Sequence, residues 1–172
     1  MPEPRNVLVE SARLARGDVK PLNELKASDF DALFIPGGFG AAKNLSDFGF
    51  KGANMTVQAD VEAALKDFHG SKRPIGLCCI APVVAAKVFG KNSGGPGVKL
   101  TLGARGENWP YNGSIDAANS FGNTMEEKQI NETSIDTDNK IVSAPAYMKG
   151  DAKPHEVFDS VANMVDEVEK LL

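Results

Sequence analysis

Two short apolar runs in this chain end in turn residues and pass straight into helical patterns. FDALFI (30–35) closes on Pro36-Gly37-Gly38, and PIGLCC (74–79) runs into Ile80-Ala81-Pro82. Runs of this length, apolar throughout, read as strands buried on both faces, which is the signature of a parallel sheet. The segments between them carry the helical period. In Thr56–His69 the residues Val57, Val61, Ala64, Leu65 and Phe68 share one face, with Thr56 as cap and Gly70 as stop. Strands alternating with amphipathic helices define an α/β fold with a largely parallel sheet.

The remaining patterns fit the same plan. RNVLVESARLAR (5–16) is an amphipathic helix stopped by Gly17, and Ala41–Phe48 is a short helix after the glycine turn. IAPVVAAKVF (80–89) is a mostly apolar helix with Pro82 in its first turn, ended by Gly90. Lys91–Gly97 is a loop, Val98–Leu102 a strand, and Gly103–Gly113 an irregular stretch holding Trp109. Ser114 caps a helix to Phe121, and 124–144 holds two or three strands with a hairpin turn at Asp136–Lys140. Pro154–Leu172 closes the chain as an amphipathic helix. With 172 residues, no linker and no repeat, residues 1–172 form a single domain.

Charge and composition exclude several function classes. Nineteen basic against 23 acidic residues leave a net charge of −4, the wrong sign for nucleic acid or an anionic membrane. No apolar run approaches the roughly 18 residues a membrane span needs. The two cysteines are neighbours, and His69 and His155 are far apart. Neither a disulfide framework nor a metal site is therefore expected.

The chemistry is expected at the carboxyl ends of the strands, where open α/β sheets bind ligands. Pro36-Gly37-Gly38-Phe39-Gly40 matches neither a P-loop nor a dinucleotide fingerprint, but its backbone N–H groups could donate to an oxyanion or serve only a turn. Cys79 stands at the joint between a strand and a helix. This is the layout of a nucleophile elbow, and a helix amino terminus favours a thiolate; a buried structural cysteine is the other reading. Strand alternation sends Cys78 the opposite way, into the core. His69 reads as a residue of its helix's last turn and His155 as a solvated one, so no Cys-His dyad is evident.

FIPGGFGAAKNLSDF (34–48), GLCCIAPVVAAKVFG (76–90) and DNKIVSAPAYM (138–148) together resemble the glutamine amidotransferase-like class 1 domain-containing (ElbB-type) family of the PfpI superfamily. NVLVESARLARG (6–17) and ENWPYNG (107–113) are also similar to its animal members. The resemblance implies a flavodoxin-like three-layer sandwich. It assigns Cys79 as nucleophile and the N–H groups of Gly38 and Ile80 as oxyanion hole. Gly37, Asn44, Pro145 and Tyr147 are placed in the substrate pocket. It also implies a cofactor-free conversion of glyoxal-type α-oxoaldehydes, or removal of glycated adducts, with no metal. The alternative is a redox-sensing or binding protein on the same fold.

The resemblance carries two departures. Family members begin with a further strand–helix–strand unit of about 60 residues, which supplies a central strand and an acidic residue beside the elbow thiol. This chain opens at the helix from Asn6, so a sandwich shortened at its amino terminus, with an open sheet edge, is expected. Such an edge favours a homo-oligomer. Ile80 follows the cysteine where proteases of this type carry His, which disfavours peptide hydrolysis and glutamine amidotransfer. Animal members imply a mitochondrial location. The chain's own start shows no presequence pattern, which makes the cytoplasm the other expectation.

Overall fold

The computed structural model describes residues 5–172. A four-stranded sheet organises it. Strands β1 (Leu33–Ile35), β2 (Ile75–Cys78) and β6 (Ile141–Ala144) lie side by side in parallel, and β5 (Ser134–Asp136) pairs antiparallel with β6 through the expected hairpin. β3 (Lys99–Leu100) and β4 (Thr124–Met125) form a separate parallel pair. The strand expected over 98–102 is thus confined to two residues.

Three layers follow from the alternation of side chains along β2. Ile75 and Leu77 point toward helices α4 (Ala59–Gly70) and α5 (Pro82–Phe89), in the larger core with Leu65, Phe68 and Val84. Cys78 points the other way, into a smaller core with Val142, Ala144 and Val168, the last on helix α7 (Pro154–Glu169). Every residue of β2 is buried. A fully buried Leu or Phe in such a layer contributes about 1.5–3 kcal/mol from transfer alone.

β1 departs from its expected burial. Among the described residues it pairs only with β2, and Phe34 is 42% exposed, so it is a half-buried edge strand. Helix α1 (Val7–Ala15) lies near that edge with no residue buried. Its left-handed closing residue is Arg16 (φ 58°), one place before the expected Gly17. The start of α4 falls at Ala59 with Gln58 before it, so Thr56 does not cap it. The Thr56 N–H and hydroxyl bond the Asp47 carboxylate instead. Ser114 lies inside helix α6 (Gly113–Ser120) and donates its hydroxyl to the Tyr111 carbonyl rather than capping.

His69 is tied down more firmly than a surface residue. Its ring meets Asn139 Oδ1 at 3.0 Å and packs on Phe89, which anchors the end of α4 to the β5–β6 hairpin.

Candidate functional site

The turn after β2 fixes the site. The Cys79 N–H donates to the Ala144 carbonyl (3.0 Å) and the Ala81 N–H to the Cys78 carbonyl (3.1 Å). Cys79 itself takes φ 58°, a left-handed conformation that a side chain adopts at a cost of about 1–2 kcal/mol. Pro82 then opens α5, where a missing N–H costs nothing. A residue in this pose is thrust out above the strand ends, and Cys79 accordingly lines a hollow of about 820 Å³. Its Sγ lies 4.0 Å from Met148 Sδ, a weak acceptor. Cys79 and Cys78 are both free thiols.

The glycine turn after β1 packs directly on this elbow. A Cβ on Gly37 would come within 2.8 Å of the Cys78 carbonyl oxygen, the Cys79 Cβ and the Ile80 nitrogen, so only glycine allows the approach. Gly38 has φ 80°, which again suits glycine. Among the described residues the N–H groups of Gly38 and Ile80 have no protein acceptor. Both border the hollow that holds the thiol. Two unpaired donors beside a nucleophile can hold an oxyanion.

Distant segments complete the rim. Trp109 is buried over Gly103, whose absent Cβ would otherwise meet the indole at 2.3 Å, and this sets Pro110 and Tyr111 at the hollow's edge. After β6, Ala146 (φ 47°) gives its N–H to Ser160 Oγ at 3.2 Å, which brings Tyr147 and Met148 to the opposite side. The Gly150 N–H bonds the Asn108 carbonyl at 2.8 Å and joins the two rims.

No family model matches the chain. It is 46% identical over 172 residues to the rat "ES1 protein homolog, mitochondrial", covering 98% of this chain and 62% of that protein. It is 45% identical, over the same shares, to the human "Glutamine amidotransferase-like class 1 domain-containing protein 3, mitochondrial". A solved "isoprenoid biosynthesis protein with amidotransferase-like domain" from Ehrlichia chaffeensis superposes with a TM-score of 0.83 at 31% identity, covering 100% of this chain and 74% of that one. The chain belongs to the glutamine amidotransferase-like class 1 domain-containing family. It spans about 62% of the length of these curated relatives. The flavodoxin-like architecture expected from the sequence is the one observed.

Within this amidotransferase-like frame the expected site residues separate. Cys79, Gly37, Gly38, Ile80 and Tyr147 meet at one hollow. Asn44 does not join them; it lines a second hollow of about 800 Å³ between α1 and the β1 edge. The reason is the turn that carries it. Gly38–Gly40 (α2) continues as a π-helical turn over Ala41–Leu45, and neighbouring side chains on a helical turn point to different sides of it. Lys43 therefore faces the thiol's hollow while Asn44 faces away. Pro145 is buried behind the β6 turn and does not line the hollow either.

Sequence reasoning missed Lys43, Tyr111 and Met148. All three lie inside quoted motifs, but only Lys43 sits on a helical turn whose phase could have pointed to it. Cys78 is 7% exposed and reaches the hollow's floor. Burial pushes its thiol up, against the Gly37 N–H, which lowers it; the neighbouring Cys79 adds to the rise. Cys78 thus stays protonated where an ordinary thiol would begin to ionise. Among the described residues neither histidine lines the hollow, and His155 is exposed at the start of α7.

Proposed function

We propose that this chain is a cysteine-dependent catalyst that converts glyoxal-type α-oxoaldehydes to hydroxy acids. One observation carries the reading. Cys79, on a left-handed turn, lines a hollow bordered by two backbone N–H groups that have no protein acceptor among the described residues. The steps call on nothing beyond water and the chain's own atoms.

The Cys79 thiolate adds to one aldehyde carbon. A C–S bond forms, the carbonyl π pair moves to oxygen, and the Gly38 and Ile80 N–H groups hold the alkoxide until it is protonated. The hemithioacetal carbon then gives up its proton, and a proton is returned to the neighbouring carbon through an enediol, which leaves a thioester. Water cleaves the thioester and frees the thiol. For glyoxal the sum is OHC–CHO plus H2O giving HOCH2–COOH. Among the described residues the hollow is lined by no carboxylate or imidazole, so these protons pass through water and turnover is slow.

The test is glyoxal loss and glycolate formation by the wild type and Cys79→Ser. The variant is expected to lose about 100-fold or more in kcat/KM; equal turnover would overturn the reading. The mitochondrial names of the rat and human relatives support the same address for this protein, which fractionation of cells expressing the full-length protein checks.

A further inference from the structure

Lys43 is the one charged residue among those lining the hollow around Cys79. It is solvent-exposed at the mouth, and its stem and ammonium lie against three neighbours. The stem lies against Gly49, where a Cβ would come within 3.0 Å of the lysine Cγ and 3.4 Å of its Cε. The ammonium sits 5.0 Å from the Phe39 ring centroid and 5.5 Å from that of Phe50. The nearby acid that could neutralise it is engaged elsewhere: Asp47 pairs with Lys51 at 2.7 Å and accepts from Thr56. Among the described residues Lys43 has no carboxylate partner. Much of the rest of the lining is apolar, from Phe48, Ile80, Met148 and Val157, with Tyr111, Tyr147 and Ser114 as its hydroxyl-bearing members.

We propose that Lys43 sets the charge specificity of this hollow, which takes a carbonyl compound that also carries an anionic group, an α-oxoaldehyde bearing a carboxylate. The aldehyde carbon meets the Cys79 sulfur and the carboxylate lies at the Lys43 ammonium. In a hollow of apolar walls an unpaired carboxylate is costly to desolvate, and a positioned ammonium offsets that cost. A protein of net charge −4 otherwise repels anions, so a single uncompensated cation at the mouth decides the local preference. The aldehyde part rests on the function proposed above; the preference for negative charge does not.

The experiment separates the two. Iodoacetate and iodoacetamide alkylate Cys79 by the same chemistry and differ in charge. Their rate ratio is measured by mass spectrometry in the wild type, Lys43→Met and Lys43→Arg. Loss of the charge should lower the iodoacetate-to-iodoacetamide ratio about fivefold, the order of effect one unit charge has at a solvent-accessible site. The arginine variant should keep the wild-type ratio, and added salt should lower it. An unchanged ratio in Lys43→Met, with a wild-type melting curve, would overturn the inference.

In the second arm, the kcat/KM ratio for 4,5-dioxopentanoate over uncharged 2-oxopentanal should fall by a similar factor in Lys43→Met. Turnover of both compounds with that ratio unmoved overturns the inference and leaves the aldehyde reading standing. No turnover of either, with the alkylation ratio still dependent on Lys43, upholds the charge preference and removes the aldehyde reading.

Discussion

Among the described residues the hollow of Cys79, about 820 Å³, and the hollow of Asn44, about 800 Å³, are nearly equal in size and differ in what their walls leave unpaired. The hollow over the strand ends exposes a thiol, an ammonium and two backbone N–H groups without acceptors. The hollow beneath α1 is lined by Val7, Leu14, Leu22 and Phe34, and its charged groups are gathered on one another, with Arg5 and Arg13 sharing the single carboxylate of Glu10. Glu10 accepts from Arg13 at 2.8 Å and lies 4.0 Å from Arg5. The Arg13 bond, ahead of the desolvation that opposes it, holds the Glu10 carboxyl below its ordinary range. Space alone does not make a chemical site. Unsatisfied polar groups fixed by a rigid backbone do, and here the rigidity comes from the contact between the Gly37 turn and the Cys79 elbow.

Breaking that contact is expected to have the largest effect. Gly37→Ala puts a methyl group against three elbow atoms at 2.8 Å, two of them backbone, so the elbow must move. Turnover should fall more than about tenfold and stability by about 1–3 kcal/mol, read by kinetics and urea melts. A variant with wild-type values would show that the elbow does not depend on this approach. Cys79→Gly tests the strain stored in the same turn. It should gain up to about 1 kcal/mol of stability while activity disappears, whereas the same change at Cys78, in extended buried backbone, should destabilise.

Asp47 gives a pH handle on the wall that carries Lys43. The Lys51 ammonium, the Thr56 N–H and the Thr56 hydroxyl hold its carboxyl down to about 2 from 3.8. Because the folded value lies below the unfolded one, the stabilisation is full above about pH 4. It is lost as pH falls from there toward 2. Asp47→Asn should flatten that part of the acid unfolding curve, and an unaltered acid limb would contradict the assignment. The smallest effect belongs to the second hollow. Asn44→Ala should change kcat/KM less than about twofold, and a loss comparable to that of Gly37→Ala would erase the distinction between the two hollows.

Much of the site was legible locally. Cys79 stands out because a strand meets a helix there across a turn of only three residues, and that junction is written in consecutive residues. Gly37 and Gly38 stand out because a double glycine after a strand marks backbone in an uncommon conformation. Asn44 and Pro145 misled because each sits within a motif whose other members do reach the hollow, and motif membership does not specify which way a side chain points. The burial expected for β1 failed for a related reason. FDALFI is apolar enough for a central strand, but edge or centre is decided by which strands pair with it.

The order of the residues determined the alternation of strands and helices, the two strand ends that carry turn residues, and the cysteine at one of those turns, because each depends on neighbours a few positions away. The tertiary structure decided that Lys43 rather than Asn44 lines the hollow of the thiol, and that Tyr111 and Met148 close the rim from far along the chain. Those outcomes depend on helical phase and on packing between segments up to about seventy residues apart, such as Cys79 and Met148. Periodicity within a single segment carries no record of that packing.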